Sequence, residues 1–272
     1  MARQKHILII RLSAMGDVAM TLPVVYAFAK ANPDIKISFL SKPFFKPIVS
    51  SIPNLEFVAA NVTSEHKGVM GIWKLACQLK KLGITHVVDL HNVIRSKMLR
   101  IFLNLPSATL DKGRAEKKAL TRESDKNFTQ LATTVQRYKA VFDNLEFKDL
   151  VPEVLPKPNK APAIIEFTAG HSRKWLGVAP FAAHLGKQYP LDYMKMVVEG
   201  IDLYDKYDIF LFGAPSEVTI LNNLSDSCKN VKVVAGALKF KEELNLISQL
   251  DGMLSMDSGN AHLAAMYGVP TI

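Results

Sequence analysis

The stretch His6-Ile-Leu-Ile-Ile-Arg11-Leu-Ser-Ala-Met-Gly16-Asp17-Val18 decides the reading of the fold. A continuous apolar run of strand length that gives way to small residues and a glycine is the pattern of a parallel strand buried on both faces. A helix from about Val18 to Ala31 follows, with Pro33 just past its end. The alternation continues outward from there. Strands are expected at Ile35–Leu40, Phe57–Ala59 and Thr85–Leu90, with helices at Phe44–Ser51 and Gly71–Leu82, the latter closed by Gly83. Strands and helices alternating at this spacing form right-handed βαβ units on a parallel sheet.

Residues 111–126 carry six basic and four acidic side chains with little apolar periodicity and are expected to be a solvated loop; a helix from about Phe128 to Asn144 follows. Pro152, Pro156, Pro158 and Pro162 mark 151–162 as a linker. Beyond it the pattern restarts, with strands at Trp175–Ala179, Tyr207–Phe212, Val231–Val234 and Gly252–Met256 and helices at Leu191–Tyr204, Glu217–Cys228, Glu242–Gln249 and Ala261–Tyr267. The expected architecture is two Rossmann-like α/β domains facing a cleft, 1–155 and 156–272. Val269–Ile272 begins a further strand.

With 272 residues and 49% hydrophobic composition, the chain can bury a core. Cys77 and Cys228 lie too far apart for a metal or redox motif and are expected to be reduced core residues of a cytosolic protein. The segment Met1–His6 has neither the length nor the cleavage site of a signal peptide, and no apolar run approaches bilayer length. The expectation is a cytoplasmic protein, or one attached peripherally to the cytoplasmic face of the inner membrane. The net charge of +9 is unevenly distributed. Residues 1–155 hold 23 Lys and Arg against 13 Asp and Glu, a balance of +10, whereas 156–272 hold 11 against 12. Either the first half meets an anionic partner or its surface is simply solvated and basic. No nucleic-acid recognition motif or interleaved aromatics accompany the charge.

In open parallel sheets, ligands bind beyond the carboxyl ends of the strands, and three segments stand there. In Arg11–Val18, Gly16 permits close backbone approach, and Asp17 at the helix mouth reads as a cap or as a general base. In Ala179–Pro190, Lys187 amid small residues suits a phosphate or is an ordinary surface lysine; the Gly-Lys-Ser/Thr ending of a Walker loop is missing. In Ser255-Met-Asp257-Ser258-Gly259-Asn260-Ala-His262, polar residues open a helix whose N–H groups point at any anion, with His262 one turn inside.

At these residues the sequence resembles the heptosyltransferases of glycosyltransferase family 9, enzymes of lipopolysaccharide core assembly. The resemblance rests on Met15-Gly16-Asp17 with Thr21-Leu22-Pro23, Asp89-Leu-His91-Asn92-Val-Ile-Arg95-Ser96, Lys187-Gln-Tyr189-Pro190, Gly213-Ala-Pro-Ser-Glu217, and Asp257-Ser258-Gly259 with His262-Leu-Ala-Ala265. These motifs, in order, cover nearly the whole chain. Asn92 replaces a glycine of the family pattern, Tyr189 a tryptophan, and Asn260 a proline or leucine. A further strand and a returning helix are expected of the family beyond Ile272.

The resemblance implies a GT-B fold and inverting, metal-independent transfer of a heptose from an ADP-linked donor, with no cofactor. It makes Asp17 the general base and places Ser13, Gly16, His91 and Arg95 on the acceptor side. Lys187 and the N–H groups around Ser258 and Gly259 would neutralise the leaving diphosphate. Glu217 would accept from ribose hydroxyls, Leu238 would pack on the base, and Asp257, Asn260 and His262 would complete the donor site. The implied partners are the nucleotide sugar, an acidic lipid A-type glycolipid acceptor and an anionic membrane surface. A non-catalytic nucleotide-sugar-binding protein, or another GT-B enzyme such as a nucleotide-sugar epimerase, would carry much of the same pattern.

Overall fold

A computed structural model of the chain describes residues 4–272; the expectation about the signal-peptide character of the terminus falls in part on Met1–Arg3, which lie outside them. The chain divides into two compact units. One runs to Ser13 and resumes over Met20–Glu153; the other comprises Ala14–Ala19 and Val154–Ile272.

The first unit is built on β1 (His6–Ile10), α1 (Met15–Ala31), β2 (Lys36–Ser41), α2 (Lys46–Val49), β3 (Leu55–Ala59), α3 (Gly68–Lys81), β4 (His86–Asp89), α4 (Ile94–Leu103), β5 (Ser107–Thr109), α5 (Arg114–Leu120) and α6 (Thr134–Asp143). Its sheet is parallel in the order β3-β2-β1-β4-β5. Every residue of β1 is buried, as an apolar run at the centre of such a sheet requires. α3 and α4 cover one face of the sheet, packing Ile72, Leu75, Leu79, Leu99 and Leu103 onto Leu8, Ile10 and Val87.

The second unit carries α7 (Pro162–Phe167), β6 (Lys174–Ala179), α8 (Leu191–Leu203), β7 (Tyr207–Leu211), α9 (Val218–Ser225), β8 (Val231–Val233), α10 (Phe240–Gln249), β9 (Gly252–Ser255) and α11 (Gly259–Met266). Its parallel sheet runs β8-β7-β6-β9. Thr271 bridges Met253 in parallel on the free side of β9, where Met253 N–H donates to Pro270 O at 2.8 Å and Ser255 N–H to Ile272 O at 2.9 Å. The fold is of the GT-B class, two Rossmann-like units. In each sheet the strand order reverses beside the first strand, between β1 and β4 and between β6 and β9. Those reversals are the switch points where the carboxyl-end loops of adjacent strands diverge and leave room for a ligand.

Four local expectations need correction. The solvated loop 111–126 contains α5, whose residues are all exposed or half-buried. No apolar period marks such a helix; it forms from Ala, Glu, Lys and Leu, strong helix formers, and is tied to α6 by the Arg137–Glu116 ion pair at 2.5 Å. α6 begins at Thr134, not near Phe128, because Thr133 builds a reciprocal cap. Its hydroxyl accepts from Gln136 N–H at 3.2 Å, and Gln136 Oε1 accepts from Thr133 N–H at 2.7 Å. The proline-rich segment is fastened rather than loose. Leu155 is buried and donates its N–H to Met266 O at 2.8 Å, while Asn245 bonds both Ala161 N–H and Asn159 O. Pro162 then starts α7 at its first position, where a missing N–H costs nothing. Cys77 and Cys228 are free thiols, half-buried rather than in the core.

Candidate functional site

At the switch point of the first unit, Ile10 and Asp89 are in register as the last residues of β1 and β4. Asp89 is fully buried and organises the loop after β4. Its carboxylate accepts from His91 N–H at 3.0 Å, from Asn92 N–H at 2.8 Å and from Arg100 Nε at 3.1 Å. This fold of the loop drives Asn92 to φ 45°. That left-handed conformation suits glycine best and asparagine next, which accounts for Asn92 where the family pattern has glycine. The Asn92 side chain then donates to Leu110 O at 2.7 Å, joining the β4 loop to the end of β5. Ser96 turns the chain into α4, its hydroxyl accepting from Val93 N–H and donating to Val93 O, both at 3.0 Å.

Between these loops lies an open pocket of about 970 Å³ lined by Asn92, Ile94, Arg95, Lys97, Lys112 and Arg114, among others. Four cations against the single acid Asp111 make it a site for anions. Arg95, expected on the acceptor side, lines this pocket. Lys112 and Arg114 were missed, since α5 has no apolar stripe and 111–126 was read as surface. The six basic residues of that stretch were the available signal. His91 is half-buried in the same loop, and Ser13 is half-buried after β1.

In the second unit, Ala179 and Ser255 end β6 and β9 in register. Lys187 lies in a short 3-10 turn, Leu185–Lys187, and its ammonium meets the Asp257 carboxylate, 70 residues away. The bond to Lys187 holds the Asp257 carboxyl below the usual carboxylate range, and His262, with Nε2 4.0 Å from Asp257 Oδ1, acts weakly in the same direction. Both Lys187 and Asp257 are exposed. The Lys187 loop is tied in place by Gln188, which donates to Ala182 O at 2.7 Å, and by Tyr189 N–H, which meets Met256 Sδ at 3.2 Å. Ser258 is the N-cap of α11 but gives no side-chain cap, so the N–H groups of Gly259 and Asn260 begin the helix without an intrahelical acceptor. Ser258 Oγ is instead 3.1 Å from Ser255 Oγ.

The segment Ala14–Ala19 clusters with this unit. A Cβ on Gly16 would fall 2.4 Å from His262 Cδ2, and one on Gly259 2.2 Å from Met15 Cε. Gly16 thus lies hard against the His262 ring and Gly259 against the Met15 side chain, which sets the start of α1 against the start of α11. Asp17 follows Gly16, half-buried, with Oδ2 accepting from Ala14 N–H at 3.1 Å. That is the backward half of a capping box, so the cap reading of Asp17 holds; the same bond fixes the carboxylate at the helix mouth, where a base would have to stand.

Glu217 and Leu238 stand apart from that group. Glu217 Oε2 accepts from Ala214 N–H at 2.6 Å and holds the turn after β7. Leu238 is half-buried in the turn after β8, with its N–H on Val234 O at 3.3 Å. The structure thus joins Lys187, Asp257 and His262 and seats Gly16 against the histidine. His91, Asn92 and Arg95 form a separate constellation in the first unit. Among the described residues, no group of three His, Cys, Asp or Glu side chains is placed to hold a metal ion.

The model of glycosyltransferase family 9 (heptosyltransferase) matches residues 72–272. The chain is 27% identical to lipopolysaccharide core heptosyltransferase OpsX of Haemophilus influenzae, over 98% of this chain and 78% of that protein. Its fold superposes on a glycosyl transferase family 9 structure from Veillonella parvula with a TM-score of 0.81, at 19% identity over 100% of this chain and 81% of that one. The E. coli heptosyltransferase WaaC with ADP gives a TM-score of 0.71 at 18% identity, covering 98% and 86%. With three quarters of its length matched by the family, the chain belongs to glycosyltransferase family 9, the heptosyltransferases, and is a glycosyltransferase.

Proposed function

We propose that the protein transfers a heptose from an ADP-linked donor to a phosphorylated, lipid-linked sugar of the lipopolysaccharide core, with inversion and without a metal. The observation that carries this reading is the meeting of Lys187, Asp257, His262 and the uncapped start of α11 with the Gly16-Asp17 turn. Names of relatives support the substrate class: OpsX acts on the lipopolysaccharide core, and WaaC was solved with ADP. The acceptor hydroxyl loses its proton to Asp17 and attacks the anomeric carbon from the face opposite ADP. As the bond to the β-phosphate oxygen breaks, negative charge grows there. Lys187 and the N–H groups of Gly259 and Asn260 neutralise it, which stabilises the transition state more than the ground state. Lys187 must leave Asp257 to do so, and His262 is placed to meet the carboxylate that it releases. Glu217 accepts from ribose hydroxyls and Leu238 packs on the base.

The cationic pocket of Asn92, Arg95, Lys97, Lys112 and Arg114 takes the phosphates of the acceptor, at the cytoplasmic face of the inner membrane. Calorimetric titration with ADP, UDP and GDP tests the donor half directly. Tight binding of ADP alone is expected; equal affinity for all three, or none, removes the assignment. Transfer of heptose to a phosphorylated core glycolipid, with the anomeric configuration of the product read by NMR, tests the rest.

A further inference from the structure

α3 presents an apolar surface that nothing in the first unit covers. Its inward residues Ile72, Leu75, Ala76 and Leu79 are in the core, while Val69, Met70 and Trp73 are 58%, 72% and 51% exposed. Val69 and Trp73 are one turn apart and Met70 lies beside them, so the three form one patch at the helix start. α3 follows β3, and α4 follows β4, so both helices start at the carboxyl edge of the sheet, where the cationic pocket opens. α4 packs beside α3 and adds Ile94 and Ile101, 77% and 73% exposed and two turns apart on one side. Ile94 also lines the pocket.

Exposed basic side chains stand at the starts of both helices, Lys67 before α3 and Arg95 and Lys97 in the first turn of α4, and Lys80 and Lys81 are exposed in the last turn of α3. The nearby acid, Glu65, is engaged by Lys74 at 2.9 Å and by Gln78 at 3.2 Å. A large aromatic and aliphatic residues at a helix start, with exposed cations at the same edge of the sheet, suit the boundary of an anionic bilayer, where apolar tips enter the acyl region and cations meet headgroup phosphates.

We infer that the start of α3, through Val69, Met70 and Trp73, docks the first unit on an anionic bilayer, with Ile94 and the lysines seating the pocket mouth at the headgroup level. The inference rests on the proposed lipid-linked acceptor in one respect: docking there brings such an acceptor to the pocket without its leaving the membrane.

The test uses the full chain, the triple variant Val69→Ser, Met70→Ser, Trp73→Ser, and vesicles of phosphatidylcholine with or without phosphatidylglycerol. The chain has two tryptophans, and Trp175 is buried, so Trp73 reports the contact. The full chain is expected to bind phosphatidylglycerol vesicles, with Trp73 emission shifted to the blue and quenched by brominated lipid. The variant, with an unchanged melting temperature, is expected to lose at least about tenfold in vesicle affinity, since three apolar side chains no longer enter the bilayer. ADP affinity, measured on the same preparations, is expected to be equal in both chains. Undiminished vesicle binding by the variant, binding without quenching of Trp73, or self-association through the patch in place of vesicle binding would each overturn the inference. Vesicle binding by a chain that ignores ADP would instead sink the proposed transfer and leave the docking standing.

Discussion

The two switch points of this molecule solve one problem in opposite ways. In the first unit a buried carboxylate, Asp89, holds two backbone N–H groups and Arg100, and so fixes the β4 loop from beneath while Arg95, Lys97 and Arg114 of the pocket stay exposed. In the second, the charges that would meet a ligand, Lys187 and Asp257, are themselves exposed and pair with each other. The first site has its frame fixed by a buried carboxylate and gathers four cations against one acid at its surface. The second is neutralised internally, and the proposed donor would have to open its ion pair. A charge buried in a satisfied network gives geometry, and an exposed pair gives little stability but can be exchanged for a ligand at small cost.

The sharpest way to break this comparison is Asp17→Asn. Asparagine still accepts from Ala14 N–H, so the helix start survives, but it takes no proton. Transfer should fall by about two to four orders of magnitude, with the melting temperature nearly unchanged. Near-normal turnover would leave Asp17 a cap and nothing more.

Asp89→Ala should be the most damaging change to the fold. It strands two buried N–H donors and Arg100, a loss of about 3–5 kcal/mol, and thermal melts should drop by on the order of 10 °C. If the melt moves by only a degree or two, the β4 loop is held by something other than Asp89.

Lys187→Ala should leave the melt alone, because an exposed pair contributes little. Its effect belongs to binding: ADP affinity should weaken roughly ten- to hundredfold, the loss of a charge-assisted bond worth about 1.5–3 kcal/mol. Unchanged affinity in the titration calorimeter would remove Lys187 from the donor site.

The smallest effect concerns pH. Glu243, in the first turn of α10, is pushed up to about 7 by burial. A carboxyl raised above its ordinary 4.5 holds its proton more tightly in the folded chain than in the unfolded one. Its contribution is therefore fully present below 4.5 and is lost as pH rises through about 7. Glu243→Gln should raise the melting temperature at pH 8 by about 2–4 °C, if the charged form costs on the order of 1 kcal/mol, and change it little at pH 4. An equal shift at both pH values would trace the effect to packing.

Much of this was legible in the residues alone. The largely apolar runs 6–10, 175–179 and 207–212 are legible as central strands because a strand buried on both faces shows little polar alternation. Gly16, Lys187, Asp257, Ser258, Gly259 and His262 could be singled out because anion sites in such sheets follow the strands directly. α5 could not be seen that way, nor could Lys112 and Arg114 beside it, because the helix buries no side chain and periodicity reports only burial. The start of α6 was misplaced by about six residues because the cap at Thr133 outweighed the apolar residue Phe128, which is 80% exposed.

The sequence by itself determined which segments are strands and helices, where the loops that could bind an anion lie, and which half carries the charge. These follow from local period, propensity and composition. Only the tertiary structure decided which of those residues meet. Lys187 faces Asp257 across 70 residues of chain because β6 and β9 are neighbours in the sheet, and Gly16 lies against His262 because two helix starts approach closely enough to exclude a Cβ. Asn92 takes the place of a glycine because Asp89, buried beneath it, holds the turn in a left-handed conformation. Strand order and close packing are properties of the whole fold, and no local pattern encodes them.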